Sequence, residues 1–471
     1  MAEILFVNPK SFNTIPSYFP YGILYMAGFL RAKGMDVGIY DTNVEDRDFR
    51  EFLKKTSPKV VGFSVLSGSC IGDAVNKSKM VREILKEAKI VWGGIHTTIF
   101  PDHVLKQPYV DYIIINEGDR PILELCQRLL KGDDEAKDIL NLGYKENGTL
   151  VKNKIRPFIE LDDLPLPAWD MVPIERYIHK KFYSDRVVTL HTSRGCPWSC
   201  SYCYNEQVNF RRWRGLSPEK ILEQVLCLKD RYGIKGFQFY DDEFDANPKR
   251  VVVFCNLLLK EKINIKWAHY SRTNIADEER YALEKKAGCC FIEFGVESGS
   301  PRILEKIRKG QDVDGIKKAF DICHKVGLKA GAMFMAGMPT ETREDVEMTV
   351  NLVKSLKAHQ TINTIFRPYP GSELFNYCVS NGLFKLPESL EEQGKAFDIG
   401  NTSINVSKID SAYLQSIHDM FTFNNIKNEL IGCISNGNWR LLVYYMKKIN
   451  SGSIKVVRSA IMGLFKGLIK R

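Results

Sequence analysis

The sequence predicts an α/β protein with a doubly wound parallel sheet, then a barrel-like series of strands and helices, then a helical C-terminal region. Three observations predict this class. Short apolar runs alternate with helical patterns over the first 140 residues, a second and longer alternation begins near residue 187, and a proline-rich polar stretch separates the two. Short strands that alternate with helices are typical of a parallel sheet covered by helices on both faces.

The first alternation contains five short apolar runs. Strands are predicted at residues 4–8, 37–40, 60–65, 90–92 and 112–115, and helices at residues 21–32, 71–87 and 121–130. Such sheets bind ligands at the carboxyl ends of their strands, where small residues let a flat ligand approach the backbone. Because no GxGxxG motif follows the first strand, a dinucleotide site is not favoured.

The second alternation has longer units. Strands are predicted at residues 187–191, 236–240, 266–270, 291–296, 331–335 and 362–366, with helices near residues 218–232, 248–261, 277–287, 314–326 and 343–356. Six strands with helices between them predict a full or partial barrel whose chemistry lies at the strand carboxyl ends. The prolines within residues 143–183 oppose continuous helix, so this stretch is predicted to be an ordered connector.

The composition limits the class of protein. Of the 471 residues, 44% are hydrophobic and 26% are charged, which excludes a disordered chain, a collagen-like chain and a small disulfide scaffold. Eight of the ten net positive charges lie in residues 440–471, so the rest of the chain is nearly neutral and no nucleic-acid partner is expected. No targeting peptide or spanning segment is recognised, so we expect a cytoplasmic protein with reduced thiols.

The sharpest motif is a loop of three cysteines that directly follows the first strand of the predicted barrel. Cys196, Cys200 and Cys203 have the spacing CxxxCxxC. Three thiolates on a short loop suit one face of a [4Fe–4S] cluster, which would leave one iron open for a small molecule. A zinc site is an alternative, but structural zinc needs four ligands and only His191 lies near enough in sequence. Three unrelated core cysteines are the remaining alternative.

This loop, with Tyr202 before its third cysteine, resembles that of the radical S-adenosylmethionine (SAM) enzymes. The resemblance implies that the three cysteines hold the cluster and that the amino and carboxylate groups of SAM bind the open iron. Asp241, Asp242 and Glu243 stand where the family has a glycine-rich segment that contacts the SAM amino group. A solvated turn is the alternative interpretation of these three carboxylates.

Three later segments also resemble the family. Residues 294–300 (FGVESGS) resemble the ribose-contacting segment, which implies that Glu297 and Ser298 bind SAM; capping of the following helix is the alternative for Glu297. Residues 331–342 resemble the segment beside the adenine, with Thr340 where the family has its second glycine, so the turn there is expected to differ. Residues 367–371 (RPYPG) resemble the segment that closes the sixth strand.

The N-terminal half resembles the cobalamin-binding domain that precedes many radical SAM cores. The segments that carry this resemblance are residues 21–27 (YGILYMA), 62–65 (GFSV), 93–97 (GGIHT) and 117–119 (EGD). The resemblance implies a Rossmann-like cobalamin-binding domain at 1–140, a connector at 141–185, a partial β6α6 radical SAM barrel of the TIM type at 186–375 and a helical region at 376–471.

The expected cobalamin site lacks one known feature. No DxHxxG motif supplies a cobalt-ligating histidine, since Asp102-His103 lacks the spacing, so we expect a weak lower ligand or none from the protein. The loop with Leu66, Ser67 and Ser69 is the candidate for the lower face. Gly93, Gly94 and His96 are expected to border the ligand, with His96 as a possible cobalt ligand. A domain that binds no corrinoid is the alternative.

The resemblance implies an enzyme that cleaves SAM to a 5′-deoxyadenosyl radical and methylates an unactivated carbon of a small or lipid-like substrate with the help of cobalamin. A one-electron donor such as flavodoxin or ferredoxin is expected. Radical oxidation, cyclisation or rearrangement, as in the anaerobic porphyrin-ring cyclases, is the first alternative. A non-catalytic metal-binding module is the second, and methylthiotransferases are less favoured because the sequence lacks their additional N-terminal cysteines.

The C-terminal stretch has its own pattern. Apolar residues from 454 to 468 share one helical face and basic residues lie mostly on the other. This pattern predicts a basic amphipathic helix, which is typical of peripheral contact with the inner face of a membrane. A helix packed on the barrel is the alternative, and residues 383–424 are expected to form helical cover for the barrel mouth.

Overall fold

The computed structural model describes residues 2–11, 17–398 and 403–435, with side chains to residue 425. The chain divides into two compact units, Met1–Ile265 with Pro368–Ile404, and Lys266–Arg367 with Asn405–Arg471. The amphipathic helix predicted from residues 454–468 lies outside the described residues. In the part that is described, no helix is long and apolar enough to cross a membrane.

The first unit contains a seven-stranded sheet with the order β2-β1-β3-β4-β5-β6-β7. Its strands are β1 (Ile4–Asn8), β2 (Val37–Asp41), β3 (Val60–Ser64), β4 (Lys89–Gly93), β5 (Tyr112–Ile114), β6 (Leu142–Glu146) and β7 (Thr149–Lys152). β1 to β5 are parallel, and β6 and β7 are antiparallel. Because β1 lies between β2 and β3, the strand order reverses there, which opens a crevice at the carboxyl edge.

Helices cover both faces of this sheet, as predicted for a doubly wound fold. They are α1 (Tyr21–Arg31), α2 (Phe49–Thr56), α3 (Cys70–Ile84), α4 (Ile95–Ile99), α5 (Pro101–Leu105) and α6 (Asp119–Leu129). Side chains alternate along β1, so that Leu5 and Val7 enter one apolar cluster whereas Ile4 and Phe6 enter the other. Each face therefore has its own core, and the carboxyl edge is left for ligands.

The predicted connector contains more regular structure than its composition suggests. Residues 142–152 form the hairpin β6–β7, which extends the first sheet. No proline occurs in this hairpin; the prolines begin at Pro157, after which the chain runs through three short 3₁₀ turns at Leu161–Asp163, Trp169–Met171 and Ile174–Tyr177. The irregular part of the connector is therefore the later part, where the prolines oppose regular structure.

The rest of the first unit contains the beginning of the second alternation. Its elements are β8 (His179–Lys181), β9 (Ser184–Leu190), β10 (Ser193–Arg194), α7 (Asn205–Asn209), β11 (Arg214–Gly215), α8 (Pro218–Tyr232), β12 (Gly236–Phe239) and α9 (Pro248–Lys260). β9 and β12 are parallel neighbours. Helix α8 has the predicted bounds because the Ser217 side chain accepts a hydrogen bond from the Lys220 amide and Gly233 ends the helix with φ 63°.

The second unit contains four parallel neighbouring strands. They are β13 (Lys266–Ser271), β14 (Cys289–Glu297), β15 (Lys329–Ala336) and β16 (Gln360–Ile365), in that order. Between them lie a 3₁₀ turn at Thr273–Ile275 and helices α10 (Glu278–Lys286), α11 (Pro301–Lys306), α12 (Val313–Lys325) and α13 (Arg343–Ser355). All six strands that were predicted for the second alternation are therefore present.

Three helices follow β16 within the described residues. α14 (Glu373–Ser380) and α15 (Leu390–Ala396) belong to the first unit, and α16 (Ser411–Ser435) packs on β16 in the second. α15 packs on α3, and Leu390 and Phe397 join the core of the first sheet. The prediction that this stretch covers the barrel mouth is wrong for α15, because a short amphipathic helix does not show in its sequence which surface it covers.

Candidate active site

The first unit has a cavity of about 350 Å³ at the carboxyl edge of its large sheet. Residues of α1, β3, β4 and the loop after β5 line one side of the cavity. The other side is lined by residues that precede or follow the cysteine loop, namely His191, Ser193, Arg194, Gly195, Tyr204, Val208, Asn209, Leu216 and Asp242. The sheet edge and the base of the cysteine loop therefore share one cavity.

The sheet side of the cavity is formed largely by backbone and small side chains. Gly62, Ser64, Gly93 and Gly94 line it together with Leu66, whose side chain is 43% exposed. Gly94 has φ 95°, and a Cβ atom at this position would lie 2.6 Å from the carbonyl oxygen of Val65. Only glycine allows this turn and the close approach of a flat ligand to the edge. Of the residues predicted for this face, Leu66, Gly93 and Gly94 line the cavity.

The other three predicted residues of this face do not line the cavity. His96 is fully buried, its Nδ1 lies 3.2 Å from the hydroxyl oxygen of Ser67, and the rings of Phe100 and Phe397 adjoin it. Burial lowers the pKa of His96 to about 3, so the imidazole is neutral. Ser69 immediately precedes α3. On helix α4 the neighbouring Ile95 lines the cavity, whereas His96 does not.

Aromatic side chains of α1 contact the start of the second alternation, and these contacts were not predicted. The hydroxyl of Tyr21 donates to the carbonyl oxygen of Thr189 at 2.6 Å, and the ring of Tyr21 stacks on His191 at 4.8 Å. Tyr25 accepts a hydrogen bond from Gln224 at 2.8 Å. Both tyrosines lie in the segment of residues 21–27 that resembles the cobalamin-binding domain, and no local pattern there indicates these hydrogen-bond partners.

The base of the cysteine loop depends on a glycine. Gly195 has φ 82°, and a Cβ atom there would lie only 2.1 Å from the carbonyl oxygen of Arg212. The two-stranded ladder β10–β11 holds the chain on both sides of the loop. The Gly195 amide donates to Asp242 at 3.1 Å, and the Cys203 amide donates to the Cys200 carbonyl at 3.1 Å. The loop therefore has a defined start and an internal turn.

The three thiols fit an iron–sulfur cluster better than a single zinc ion. None of them is in a disulfide, and all three are partly exposed. Three thiolates suffice for a [4Fe–4S] cluster that keeps one iron open, whereas a structural zinc ion needs a fourth protein ligand. Burial raises the pKa of the Cys196 thiol to about 12, so a bound metal is needed to hold it as a thiolate.

The acidic segment after β12 braces this loop. Asp241 is buried, and its carboxylate accepts hydrogen bonds from the Thr192 amide at 2.6 Å, the Thr192 hydroxyl at 3.0 Å and the Ser193 hydroxyl at 2.9 Å. Asp242 lines the cavity, and burial raises the pKa of its carboxyl group. The main-chain oxygen of Glu243 accepts a hydrogen bond from the Trp213 indole at 2.8 Å. A solvated turn is therefore wrong for Asp241, whose contacts position the loop.

Charged groups also lie at the cavity rim. Glu117 and Asp119, for which the motif resemblance gave no role, form ion pairs with Arg194 at 2.8 and 2.9 Å. Burial alone lowers the pKa of Arg194, but Asp119 and Glu117 raise it overall. Burial likewise raises the pKa of Glu117, but Arg194 and Arg214 lower it overall, so these groups stay ionised.

Of the remaining predicted site residues, Tyr202 lies in the cysteine loop of the first unit, whereas Glu297 and Ser298 lie in the second unit. Glu297 ends β14 with φ 61°, and its Oε1 accepts a hydrogen bond from Lys309 at 2.8 Å. The buried hydroxyl of Ser298 lies 3.1 Å from that of Thr349. Ser300 caps α11, so the capping alternative is wrong for Glu297. No contact that is described here assigns Tyr202 a role.

In the turn after β15, Thr340 stands where the family has glycine, and it adopts φ 70°. This is the left-handed region, in which glycine is favoured and β-branched residues are strained. Its hydroxyl accepts a hydrogen bond from Lys306 at 2.8 Å, and its carbonyl oxygen accepts one from Arg302 at 3.0 Å. The turn thus uses a conformation that glycine would allow, at the expense of backbone strain.

Two family models match the chain. The model of the radical SAM superfamily matches residues 190–353, and that of the B12 binding domain matches residues 16–126. The first match includes the cysteine loop and the second includes most of the sheet side of the cavity. The two walls of the cavity therefore come from the two matched regions.

Curated relatives include an uncharacterized methyltransferase of Pyrococcus horikoshii, which is 37% identical over 373 residues, 77% of this chain and 79% of the relative. The anaerobic magnesium-protoporphyrin IX monomethyl ester cyclase of Rubrivivax gelatinosus is 27% identical, over 79% of this chain and 69% of the cyclase.

Among solved structures, the radical SAM methyltransferase TsrM of Kitasatospora setae has a TM-score of 0.68 at 19% identity, with 81% of this chain and 75% of TsrM covered. The cobalamin-dependent SAM radical enzyme OxsB has a TM-score of 0.66 at 20% identity, with 86% of this chain and 58% of OxsB covered. At these identities the likeness shows a shared fold.

Proposed function

The chain belongs to the radical SAM superfamily and carries a B12-binding domain, and on this premise we propose that it methylates an unactivated carbon of a small molecule. The predicted fold class and the predicted cofactors, a [4Fe–4S] cluster, SAM and cobalamin, are confirmed by the two family matches. The observation that carries the proposal is the shared cavity, because a corrinoid at the sheet edge would lie beside the base of the cysteine loop.

The proposed ligands follow the sequence motifs. Cys196, Cys200 and Cys203 would hold the cluster, and SAM would bind its open iron. Tyr202, Asp241, Asp242, Glu243, Glu297 and Ser298 are proposed to contact SAM. Asp241 also positions the loop through Thr192 and Ser193.

The corrinoid would lie against the cavity wall formed by Leu66, Gly93 and Gly94, since bare backbone admits a flat ring system. Ser67, Ser69 and His96 are proposed to support this face from below, because Ser67 and His96 contact each other away from the cavity.

The cofactors supply the difficult chemistry when they are bound, namely a carbon-centred radical from SAM and a methyl group carried by the corrinoid. The chain's own residues bind and orient. The Tyr21 and Tyr25 hydroxyls fix α1 to β9 and α8, which holds the cavity wall in place. Apolar side chains such as Phe6 and Ile114 line the cavity and exclude water, which protects a reactive radical from side reactions.

Cofactor content after anaerobic reconstitution tests the proposal. Wild-type protein is expected to bind about four irons and one cobalt and to form 5′-deoxyadenosine and S-adenosylhomocysteine from SAM. Cys196→Ala should lose iron and 5′-deoxyadenosine formation, because two thiolates do not hold the cluster. Cys227→Ala is the matched control, since Cys227 is a partly exposed cysteine on helix α8. Cys196→Ala protein with the wild-type iron content and activity would contradict the proposal.

Radical cyclisation or oxidation is a second candidate, because the Rubrivivax cyclase matches over 79% of this chain. The products separate the two reactions. Methyl transfer forms S-adenosylhomocysteine in proportion to product, whereas cyclisation or oxidation forms 5′-deoxyadenosine without it. Wild-type protein that binds iron without cobalt would favour this second candidate.

Two proposals concern partners. SAM cleavage at a cluster needs an electron, so a flavodoxin or ferredoxin is proposed as the donor. Contact of the basic C-terminal stretch with an anionic membrane is proposed from its sequence pattern alone. Flotation with liposomes that contain anionic lipid should show binding by the full chain and loss of binding after truncation at residue 440; no binding by the full chain would contradict this proposal.

A further inference from the structure

We propose that Glu117, Asp119, Arg194 and Arg214 form a positioning clamp, which fixes the cysteine loop to the corrinoid-binding edge of the sheet and sets the spacing of the two cofactors. The clamp joins the region matched by the B12 binding model to the region matched by the radical SAM model. The inference rests on the proposed function of the cavity and assigns roles to residues for which the motifs gave none.

The two arginines come from the base of the cysteine loop. Arg194 on β10 and Arg214 on β11 are direct partners in the antiparallel ladder, and Arg194 is two residues before Cys196. Arg194 donates to Glu117 Oε1 at 2.8 Å and to Asp119 Oδ2 at 2.9 Å. Arg214 donates to the same Oε1 atom of Glu117 at 2.7 Å. Both arms of the loop therefore bind one carboxylate oxygen.

The two carboxylates are held independently of the arginines. The Ile159 amide donates to Glu117 Oε2 at 3.2 Å, and the Asn141 side chain donates to the Glu117 carbonyl oxygen at 3.2 Å. Asp119 is the first residue of α6, where the helix dipole favours a negative charge, and its side chain is 4% exposed. The acidic side of the clamp is thus a rigid support.

The charge balance, burial and planar contacts of the clamp suit a positioning role. Two positive and two negative groups balance, and the arginine side chains are only 24% and 14% exposed. The planar guanidinium of Arg214 also donates to the Ile159 carbonyl at 2.8 Å and lies 4.2 Å over the Phe158 ring, contacts that a lysine ammonium cannot reproduce together. Because only Gly195 separates Arg194 from Cys196, a shift of Arg194 moves the cluster ligand relative to the cavity.

The test compares Glu117→Gln and Arg194→Lys with the control Arg156→Gln. Arg156 forms a bidentate pair with Glu124 at 2.9 and 2.7 Å in the same unit, and both of these hydrogen bonds are separate from those of the clamp, so its loss breaks a comparable ion pair and leaves the clamp's own ion pairs in place. All proteins are reconstituted with iron, sulfide and hydroxocobalamin. Iron and cobalt content, the urea midpoint of unfolding and two spacing-dependent quantities are then measured.

The first spacing-dependent quantity is the magnetic relaxation of the cob(II)alamin EPR signal by the reduced cluster, which depends steeply on their distance and needs no turnover. The second is the ratio of S-adenosylhomocysteine to 5′-deoxyadenosine, since only the former needs both cofactors aligned. We expect Glu117→Gln and Arg194→Lys to retain iron and cobalt, to show altered relaxation and to lower the ratio by about tenfold or more. Arg156→Gln should leave both quantities at the wild-type value.

Three results would overturn the clamp. Unchanged relaxation and ratio in both variants would mean that the ion pairs do not set the spacing. An equal change in Arg156→Gln would mean that general destabilisation is responsible. Loss of iron with cobalt retained would mean that the pairs build the cluster site instead of spacing it. Wild-type protein without cobalt contradicts the proposed function, and the clamp with it; wild-type protein with both cofactors and unaffected variants contradicts the clamp alone.

Discussion

Replacement of Gly195 by alanine separates the two reasons why the cysteine loop needs glycine at its base. Gly195 has φ 82°, and an alanine Cβ would lie 2.1 Å from the Arg212 carbonyl oxygen. The left-handed conformation costs an alanine about 1–2 kcal/mol, of which roughly 0.4–1 kcal/mol is offset by the stiffer unfolded chain. Relief of the clash moves backbone on both sides and adds about 1–3 kcal/mol, so we expect a total loss of about 2–4 kcal/mol.

Gly233→Ala is the matched control. Gly233 has φ 63° in the same unit, but no atom lies within 4 Å of the position that a Cβ would take. The Gly233→Ala variant therefore has the strain of the left-handed conformation without the steric clash. Its free energy of unfolding should fall by about 1 kcal/mol or less.

The assay is urea unfolding of both variants with tryptophan fluorescence, followed by iron analysis after anaerobic reconstitution. Gly195→Ala should be the less stable variant and should bind clearly less iron, because the shift also disturbs the hydrogen bond from the Gly195 amide to Asp242. Gly233→Ala should bind iron as the wild type does. Equal stability losses and equal iron contents in the two variants would refute the steric argument.

Two further predictions concern the turn after β15. Thr340→Gly should raise the free energy of unfolding by about 1 kcal/mol, because it relieves the left-handed strain at φ 70°; a stability loss in urea unfolding would show that the hydrogen bond from Lys306 outweighs this strain. Burial raises the pKa of Glu341 to about 7, so its folded-state pKa exceeds the unfolded one, and stability should fall as pH rises from about 4.5 to 7, by at most about 3 kcal/mol. In Glu341→Gln the urea midpoint should vary less with pH between pH 5 and pH 7 than in the wild type. A pH dependence equal to that of the wild type would contradict the raised pKa of Glu341.

Much of the fold follows from local patterns. The alternation of apolar and helical segments predicted both series of strands, and the Ser217, Pro218 and Gly233 signals predicted helix α8 with its observed bounds. These signals are reliable because caps and periodicity act among residues close in the chain. The hairpin at 142–152 and short helices such as α2 were missed, because short elements depend on the surface they cover.

The residues of the candidate site also divide into those that a local pattern predicts and those that depend on tertiary contacts. The spacing of Cys196, Cys200 and Cys203 is a property of one loop, so sequence reasoning could identify it. His96 is expected beside the ligand, but the direction of its buried side chain depends on which side of α4 faces the sheet. For Asp241 the motif predicts contact with SAM, and only the structure shows that its carboxylate accepts hydrogen bonds from Thr192 and Ser193, 49 and 48 positions away.

By itself, the sequence determined the α/β class and the three-cysteine loop, because each depends on residue types at short and regular spacing. It also carried the resemblance to a family that uses a [4Fe–4S] cluster, SAM and cobalamin. Only the tertiary structure decided that the sheet edge and the cysteine loop line one cavity, and that Arg194 meets Glu117 across 77 positions of chain. Such contacts depend on how the packed elements of the first unit meet, and no local pattern in either segment encodes the partner it will find.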